Sequence, residues 1–231
     1  MYNNQPKIIG VTGTKESGKN TFGSYLVNNY GFTENAFAKP LKDASKILFG
    51  LNDEQLYDSE KKEQYDSKIG YSPREVLQKF GTEIVREQFA NIFPNMFRNS
   101  YKNLWIKLMD IFINTKENEN KFVVITDLRF QDEAEWVKNK GGIIVKINRQ
   151  SIKKNKYSEH KSETELNTIK ANYIIKNNGS IQNLYNNIDK LMTNLNFQKQ
   201  NEEKDYSLFI FIVFILFISV IYLFQDLNLY I

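Results

Sequence analysis

The chain of 231 residues carries a formal net charge of +4, no cysteine and one histidine. That excludes disulfides, thiolate metal sites and a histidine metal cluster. Its 26 lysines far outnumber its 5 arginines and form no basic stripe, which argues against a nucleic-acid partner.

Setting aside an apolar C-terminal run leaves roughly 200 residues, enough for one α/β domain with a sizeable core. The opening MYNNQPK lacks the apolar core of a secretory signal. Ile8, Ile9 and Val11 then make a short β-branched run suited to a strand buried on both faces. A glycine-bounded turn from Gly13 to Gly18 follows, then Lys19, Asn20, Thr21 and a helical pattern. This is the phosphate-loop pattern G-x-x-x-x-G-K in its required setting of strand, loop and helix. The glycines let backbone N–H groups close around phosphate oxygens, and the helix N-terminus adds a positive dipole end. Lys19 is placed to reach the β- and γ-phosphates. Asn20 stands where a Ser or Thr usually meets Mg²⁺; its amide oxygen can take that place directly or through water, which makes Asn20 a candidate metal ligand.

The first helix is expected from Thr21 to Asn29, with Phe22, Tyr25 and Leu26 on one face and Gly31 ending it. FTENAFA reads as a second short strand, and KPLKDASKILFG as a helix with Pro40 near its start and Gly50 past its end. Lys42 in its first turn runs against dipole preference, so it is either a solvated lysine or a cation aimed at a phosphate-bearing ligand. Residues 51–71 read as a charged, irregular, mobile surface insertion. Ser72-Pro73-Arg74-Glu75 is a capping box with proline in the first helical position. The helix it opens has Val76, Leu77, Phe80, Ile84 and Val85 as its apolar face, and carries Arg74 and Arg86. Gly81 interrupts that helix at a cost of about 1 kcal/mol against alanine, easier to accept where backbone approaches a ligand or another helix. Tyr101 to Asn114 forms a further helix, in which Trp105 reads first as a core residue.

FVVIT (122–126) is a third buried strand, ending in Asp127-Leu128-Arg129. An acid at the C-terminal end of a strand beside the phosphate loop suits metal or metal-water coordination, and Arg129 there would face a phosphate. The alternative is a salt bridge within the loop. A helix over 130–140, a Gly141-Gly142 turn and a strand over 143–147 come next. Residues 149–165 lack periodicity and are a candidate lid, with His160 in it either solvated or catalytic. NYIIK (172–176) is a fifth strand, and Ser180 caps a helix bearing Ile181, Leu184, Ile188, Leu191 and Leu195. Five strands alternating with helices imply an α/β fold with a mostly parallel sheet covered on both faces.

This domain is expected over 1–195, followed by a polar linker over 196–206. Leu208 to Phe224 is apolar all round, and with Tyr206 and Ser207 it would span about 28 Å as a helix. A single-pass transmembrane helix is therefore expected over 207–224, leaving a short tail over 225–231, so that the membrane is one partner of the chain. Lys199 and Lys204 before the span and Asp226 after it predict a tail-anchored protein with its domain in the cytosol.

The segments GTKESGKNT, FAKPLKDA, VLQKFGTEIVREQF, LWIKL, FVVITDLRFQDEAEWVKNKGGIIVKI, HKSETE and IKNNGS stand in one order. As a set, over about Lys7 to Met192, they resemble the deoxynucleoside monophosphate kinases of large tailed phages and giant viruses. The resemblance implies a phosphate-loop kinase fold and transfer of the γ-phosphoryl group of ATP, with Mg²⁺, to a deoxynucleoside monophosphate. It implies that Gly13, Lys15, Glu16, Ser17, Gly18, Lys19, Asn20 and Thr21 cradle the ATP phosphates. Lys42, Arg74, Arg86 and Arg129 would surround the acceptor and transferring phosphates, with Lys19, Arg86 and Arg129 as the catalytic cations. Gly81 and Thr82 would line the monophosphate pocket, Trp105 would stack on the base, and Glu133 and Glu163 would join the substrate site. Asn178 or Gly179 would lie near the adenine, and Asn20 and Asp127 would be the metal ligands. A homodimer is compatible with this reading.

Two rivals stand beside it. Dephospho-coenzyme A and phosphomevalonate kinases share the loop and the sheet, and a membrane-tethered nucleotide-binding scaffold or switch would need no acceptor. A GTPase is disfavoured, since Asn139-Lys140 continues with two glycines instead of an N-K-x-D motif.

Overall fold

A computed structural model of the chain describes residues 5–97, 103–150 and 165–200. Its central strand, β1 (Ile8–Thr12), is buried along its whole length, as a β-branched strand covered on both faces must be. β3 (Val123–Ile125) and β4 (Ile143–Asn148) flank it, with β2 (Thr33–Asn35) outside β3 and β5 (Tyr173–Lys176) outside β4. The order is β2-β3-β1-β4-β5, and every neighbouring pair is parallel.

Helices cover both faces. On one, α1 (Lys19–Tyr30) and α8 (Ile181–Asn194) set Phe22, Leu26, Leu184 and Ile188 against Ile9 and Val11. On the other, α2 (Lys39–Phe49), α6 (Leu104–Ile113) and α7 (Gln131–Asn139) set Leu41, Met109 and Val137 against Ile8 and Ile125. Phe22 and Leu26 are fully buried, each contributing about 1.5–3 kcal/mol. β1 leaves through α1 and β3 through α7, toward opposite faces, so a crevice opens at the carboxyl ends of these two adjacent strands.

Four expectations change. The insertion over 51–71 is structured: α3 (Asp53–Tyr57) starts at a reciprocal Asn52–Gln55 capping box, and a 3₁₀ turn covers Lys61–Glu63. Leu51 and Leu56, both buried, pin it against Val76. The helix from Ser72 is also not uniform. α4 (Pro73–Gln78) gives way to a π-helical segment, Lys79–Arg86, whose wider turn shifts the phase of the apolar face. Val85 points into the core, whereas Ile84 stays 47 % exposed. Third, apolar packing continues past the expected end of the domain at residue 195. Phe197 is buried, its ring 5.3 Å from Phe32 and 4.9 Å from Phe122. Fourth, α8 keeps Leu184, Ile188 and Leu191 inside but leaves Ile181 largely exposed.

The expected membrane helix over 207–224 and most of the expected lid lie outside the described residues. Among the described residues, no helix is long and apolar enough to cross a membrane.

Candidate active site

The loop after β1 is shaped by glycine. Gly13 has φ 150°, and a Cβ there would lie 2.5 Å from the Ile147 carbonyl oxygen, so the turn passes too close to β4 for any side chain. Asn177, after β5, donates from Nδ2 to the Ser17 carbonyl (2.8 Å), and Arg149, after β4, donates to that of Glu16 (3.2 Å). The loop is thus clamped by two other strand ends. No side chain caps the N-terminus of α1, which leaves its first amides available to an anion. Lys19 Nζ donates to the carbonyls of Gly13 (2.8 Å) and Thr14 (2.7 Å), which folds the ammonium over the loop.

Two cavities meet at this crevice. The donor cavity is lined by Lys15 through Thr21 and, on the far side, by Asn177, Gly179 and Leu184. The acceptor cavity lies between α2, α4 and its π continuation, and α6. Lys42, Arg74, Gly81, Thr82, Arg86, Trp105, Arg129 and Glu133 all line it, so every residue the resemblance assigned to the substrate is brought together there, Glu163 aside. Five residues line both cavities: Lys42, Lys62, Arg74, Asp127 and Arg129.

Each has its own support. Lys42 sits with its ammonium 3.9 Å from the centre of the Tyr57 ring, and burial lowers its pKa while Asp127 pulls the other way. It faces the site rather than open solvent. Arg74 Nε donates to Glu63 Oε1 (2.6 Å), which also pairs with Lys15 (3.3 Å). Asp127 accepts the N–H groups of Phe37 and Ala38, both at 2.8 Å, so its carboxylate holds the entry to α2 instead of forming a loop salt bridge with Arg129. The backbone N–H groups of Arg129 and Phe130 donate to Glu133 Oε2 (2.9 and 3.2 Å).

Glu133 and Arg86 form the inner polar wall. Arg86 is bidentate to Asp132 through Nη1 (2.9 Å to each oxygen), pairs with Glu133 through Nη2, and stacks 3.6 Å over Phe130. Burial pushes Glu133 up to about 7, partly offset by the Arg86 guanidinium. Arg86 is therefore anchored by two carboxylates, and its contribution to the site is a fixed position. Trp105 is a core residue, 7 % exposed, and also forms part of the wall of the acceptor cavity. Its indole Nε1 donates to the Gly81 carbonyl (2.9 Å), which sets the ring plane. A Cβ on Gly81 would meet Cδ2 of Leu41 of α2 at 2.4 Å, so the Leu41 side chain rests directly on the glycine and would have to shift for any larger residue.

The sequence reading missed Lys62, which comes from the insertion taken as irregular. Burial, reinforced by the nearby charges of Lys42, Arg74, Arg129 and Lys15, pushes it down to about 7. The detectable signal was Asn52-x-x-Gln55, a capping pattern ahead of Leu56. Of the adenine candidates, Gly179 lines the donor cavity, whereas Asn178 accepts from the Gln150 N–H (2.9 Å). His160 and Glu163 lie outside the described residues. Among the described residues, no cluster of three or more His, Asp or Glu could hold a metal. Asn20 is exposed on the donor cavity and Asp127 lies at the junction. One amide and one carboxylate suit Mg²⁺, which takes few protein ligands and completes its shell with water and phosphate oxygens.

A family model described as deoxynucleotide monophosphate kinase matches residues 53–188. The chain is 40 % identical over 193 residues, 81 % of its length and 96 % of the relative's, to a protein of Acanthamoeba polyphaga mimivirus assigned as a deoxynucleotide monophosphate kinase. It is 21 % identical over 255 residues, 80 % of its length and 99 % of the relative's, to the deoxynucleotide monophosphate kinase of Escherichia phage RB69. Among solved structures, the dephospho-CoA kinase from Campylobacter jejuni aligns over 82 % of this chain and 96 % of its own, at 17 % identity and a TM-score of 0.44.

Proposed function

The chain belongs to the deoxynucleotide monophosphate kinase family, and we propose that it moves the γ-phosphoryl group of ATP to a deoxynucleoside monophosphate across the junction of its two cavities. The observation that carries this reading is the set of four cations, Lys42, Lys62, Arg74 and Arg129, lining both cavities at once. Phosphoryl transfer asks for little covalent chemistry, and its cost is repulsion between anionic groups brought into line. The acceptor phosphate is already an anionic nucleophile, so the site needs no general base. It needs fixed positive charge away from bulk water, where each cation acts more strongly.

In this reading the phosphate loop and the open start of α1 hold the triphosphate, and Lys19 leaves the loop carbonyls for the β- and γ-phosphate oxygens. Arg74, Lys62 and Arg129 hold the acceptor phosphate, and Trp105 offers its face to the base. Asn20, with Asp127 directly or through water, would hold Mg²⁺, which when bound offsets charge between the β- and γ-phosphates. Purified full chain with ATP and Mg²⁺ should release ADP only when a deoxynucleoside monophosphate is added. ADP release driven by dephospho-coenzyme A or phosphomevalonate instead, or by no acceptor at all, would overturn the reading.

Lys62 gives the reaction a pH signature. A bound phosphate favours the charged ammonium and raises its pKa above the value of about 7 in the protein alone, so binding takes up a proton. Acceptor affinity should then fall by up to about tenfold per pH unit as pH rises from 7 toward the pKa of the complex. Lys62→Arg stays charged throughout and should flatten the acceptor KM between pH 7 and 9. A wild-type profile as flat as the variant's would remove Lys62 from the phosphate site.

The apolar run from Leu208 to Phe224 supports a membrane tether that leaves the domain in the cytosol. A soluble reporter fused to residues 200–231 should stay with membranes through alkaline carbonate extraction; release into the supernatant would count against a spanning helix.

A further inference from the structure

Neighbouring strands all run parallel, so their amino ends share one edge of the sheet, opposite the crevice. The chain leaves the domain at this edge. The ring of Phe197 packs on Phe32 and Phe122, the residues just before β2 and β3, and the Asn196 carbonyl accepts from Gln5 Nε2.

Lysines collect here too. Lys7 stands just before β1, Lys121 shortly before β3 and Lys170 shortly before β5. Lys116 lies in the loop between α6 and β3, and Lys138 in the last turn of α7, which leads into β4. All of these are exposed. Glu117 and Glu119 offset part of their charge, and Lys140 at the same edge is committed to Asp110. Far apart in sequence, these lysines form no stripe there; the parallel sheet gathers them. Phosphoryl transfer uses none of them, because its cations line cavities at the other end of the strands.

Residues 198–207 join Phe197 to the apolar run from Leu208, and a link of that length reaches at most about 35 Å. A bilayer holding the run is therefore kept within reach of this edge, at a high effective concentration. Lysines brought within a Debye length of an anionic leaflet, about 8–10 Å, are drawn to it.

We propose that the amino edge of the sheet is a second membrane contact, where Lys7, Lys116, Lys121, Lys138 and Lys170 rest on anionic lipid headgroups. This rests on the tether reading above and adds an orientation to it. With this edge against the headgroups, the crevice opens away from the bilayer, and nucleotides reach both cavities from solution. A nucleic acid is also an anionic partner for lysines, but the departure of the apolar run from this same edge favours lipid.

The test uses full chain in vesicles of phosphatidylcholine, alone or with about 30 % phosphatidylserine. A membrane-impermeant reagent acetylates exposed amines, and mass spectrometry follows each lysine. Acetylation of Lys7, Lys121 and Lys170 should slow about tenfold on the anionic vesicles, as several lysines at a charged leaflet would, and recover at high salt. Lys39, at the start of α2 on the opposite edge, should react alike on both lipids. The triple variant Lys7→Glu, Lys121→Glu, Lys170→Glu should lose the protection of Lys116 and Lys138 and keep the wild-type kcat. Should it fail to fold, the lipid and salt comparisons on wild type carry the test. Equal labelling on both lipids overturns the proposal, and so does protection by duplex DNA or RNA without protection by anionic vesicles. Alkaline carbonate extraction separates the two readings. A chain that resists extraction without protection keeps the tether and loses the lipid-facing edge. One that is released yet protected keeps the edge and loses the tether, and one that is released and unprotected loses both.

Discussion

Lys19→Ala is expected to lower kcat by about 10³-fold or more while leaving the thermal unfolding curve nearly where it was. The two halves of that expectation have different sources. Lys19 is half-buried at the loop, and its ammonium donates to the carbonyls of Gly13 and Thr14 in the turn it belongs to. The loop itself is held by the Asn177 and Arg149 contacts and by Gly13 lying against β4, none of which the substitution touches. On the reading proposed above, the chemistry in contrast loses a charge directed at the β- and γ-phosphates, and one well-placed group of this kind carries several kcal/mol of transition-state stabilisation. Steady-state turnover with calorimetry on the same samples checks both halves. Turnover near wild type would sink the assignment of the loop as a catalytic ATP site, and a collapsed melting curve would show its role to be structural.

Arg129→Ala should cost about 10²- to 10⁴-fold in kcat/KM for the acceptor. Its place is fixed by backbone that alanine retains: Leu128 beside it is fully buried, and the Arg129 N–H is capped by Glu133. The guanidinium is what the substitution removes, from a point that both cavities share. Arg129→Lys should recover only part of the loss, because a compact ammonium cannot give two parallel hydrogen bonds to a phosphate. An alanine variant within threefold of wild type would place Arg129 outside the transfer site, and equal activity of the lysine variant would show that charge alone suffices.

Much of this architecture was legible because its signals are local. A β-branched run, a glycine-bounded turn and a lysine identify β1 and its loop without knowledge of anything distant. The placement of Asp127 and Arg129 at the crevice was legible for a related reason, since a strand end is easy to find. What escaped notice depends on contacts far apart in sequence. The capping box at Ser72 predicted a helix, but nothing in the run KFGTEIVR signals a π turn, which forms where Gly81 lies against Leu41 and Thr82 and Val85 turn inward. Ile84 was misassigned to the core by that one-residue change of phase. Lys62 was passed over because the segment bearing it is charged. Its fold is secured by Leu51 and Leu56 packing on Val76, roughly twenty positions further along the chain, a contact no local pattern announces. Trp105 fell between two readings that exclude each other only on paper, since a residue can be core on one side and cavity wall on the other.

Glu63 puts the recognition of phosphate in a different light. Its carboxylate touches Lys15 of the donor loop and Arg74 of the acceptor helix, so the protein carries its own anion at the place where two substrates are to bring theirs. A phosphate that meets either cation competes with Glu63 for its charge. Substrate entry at this point then has the character of ion exchange: Glu63 already offsets part of the positive charge of Lys15 and Arg74, and an arriving phosphate shares or replaces it. The same arrangement favours a multiply charged ligand, because a weakly charged one gains little from cations that a tethered carboxylate already offsets.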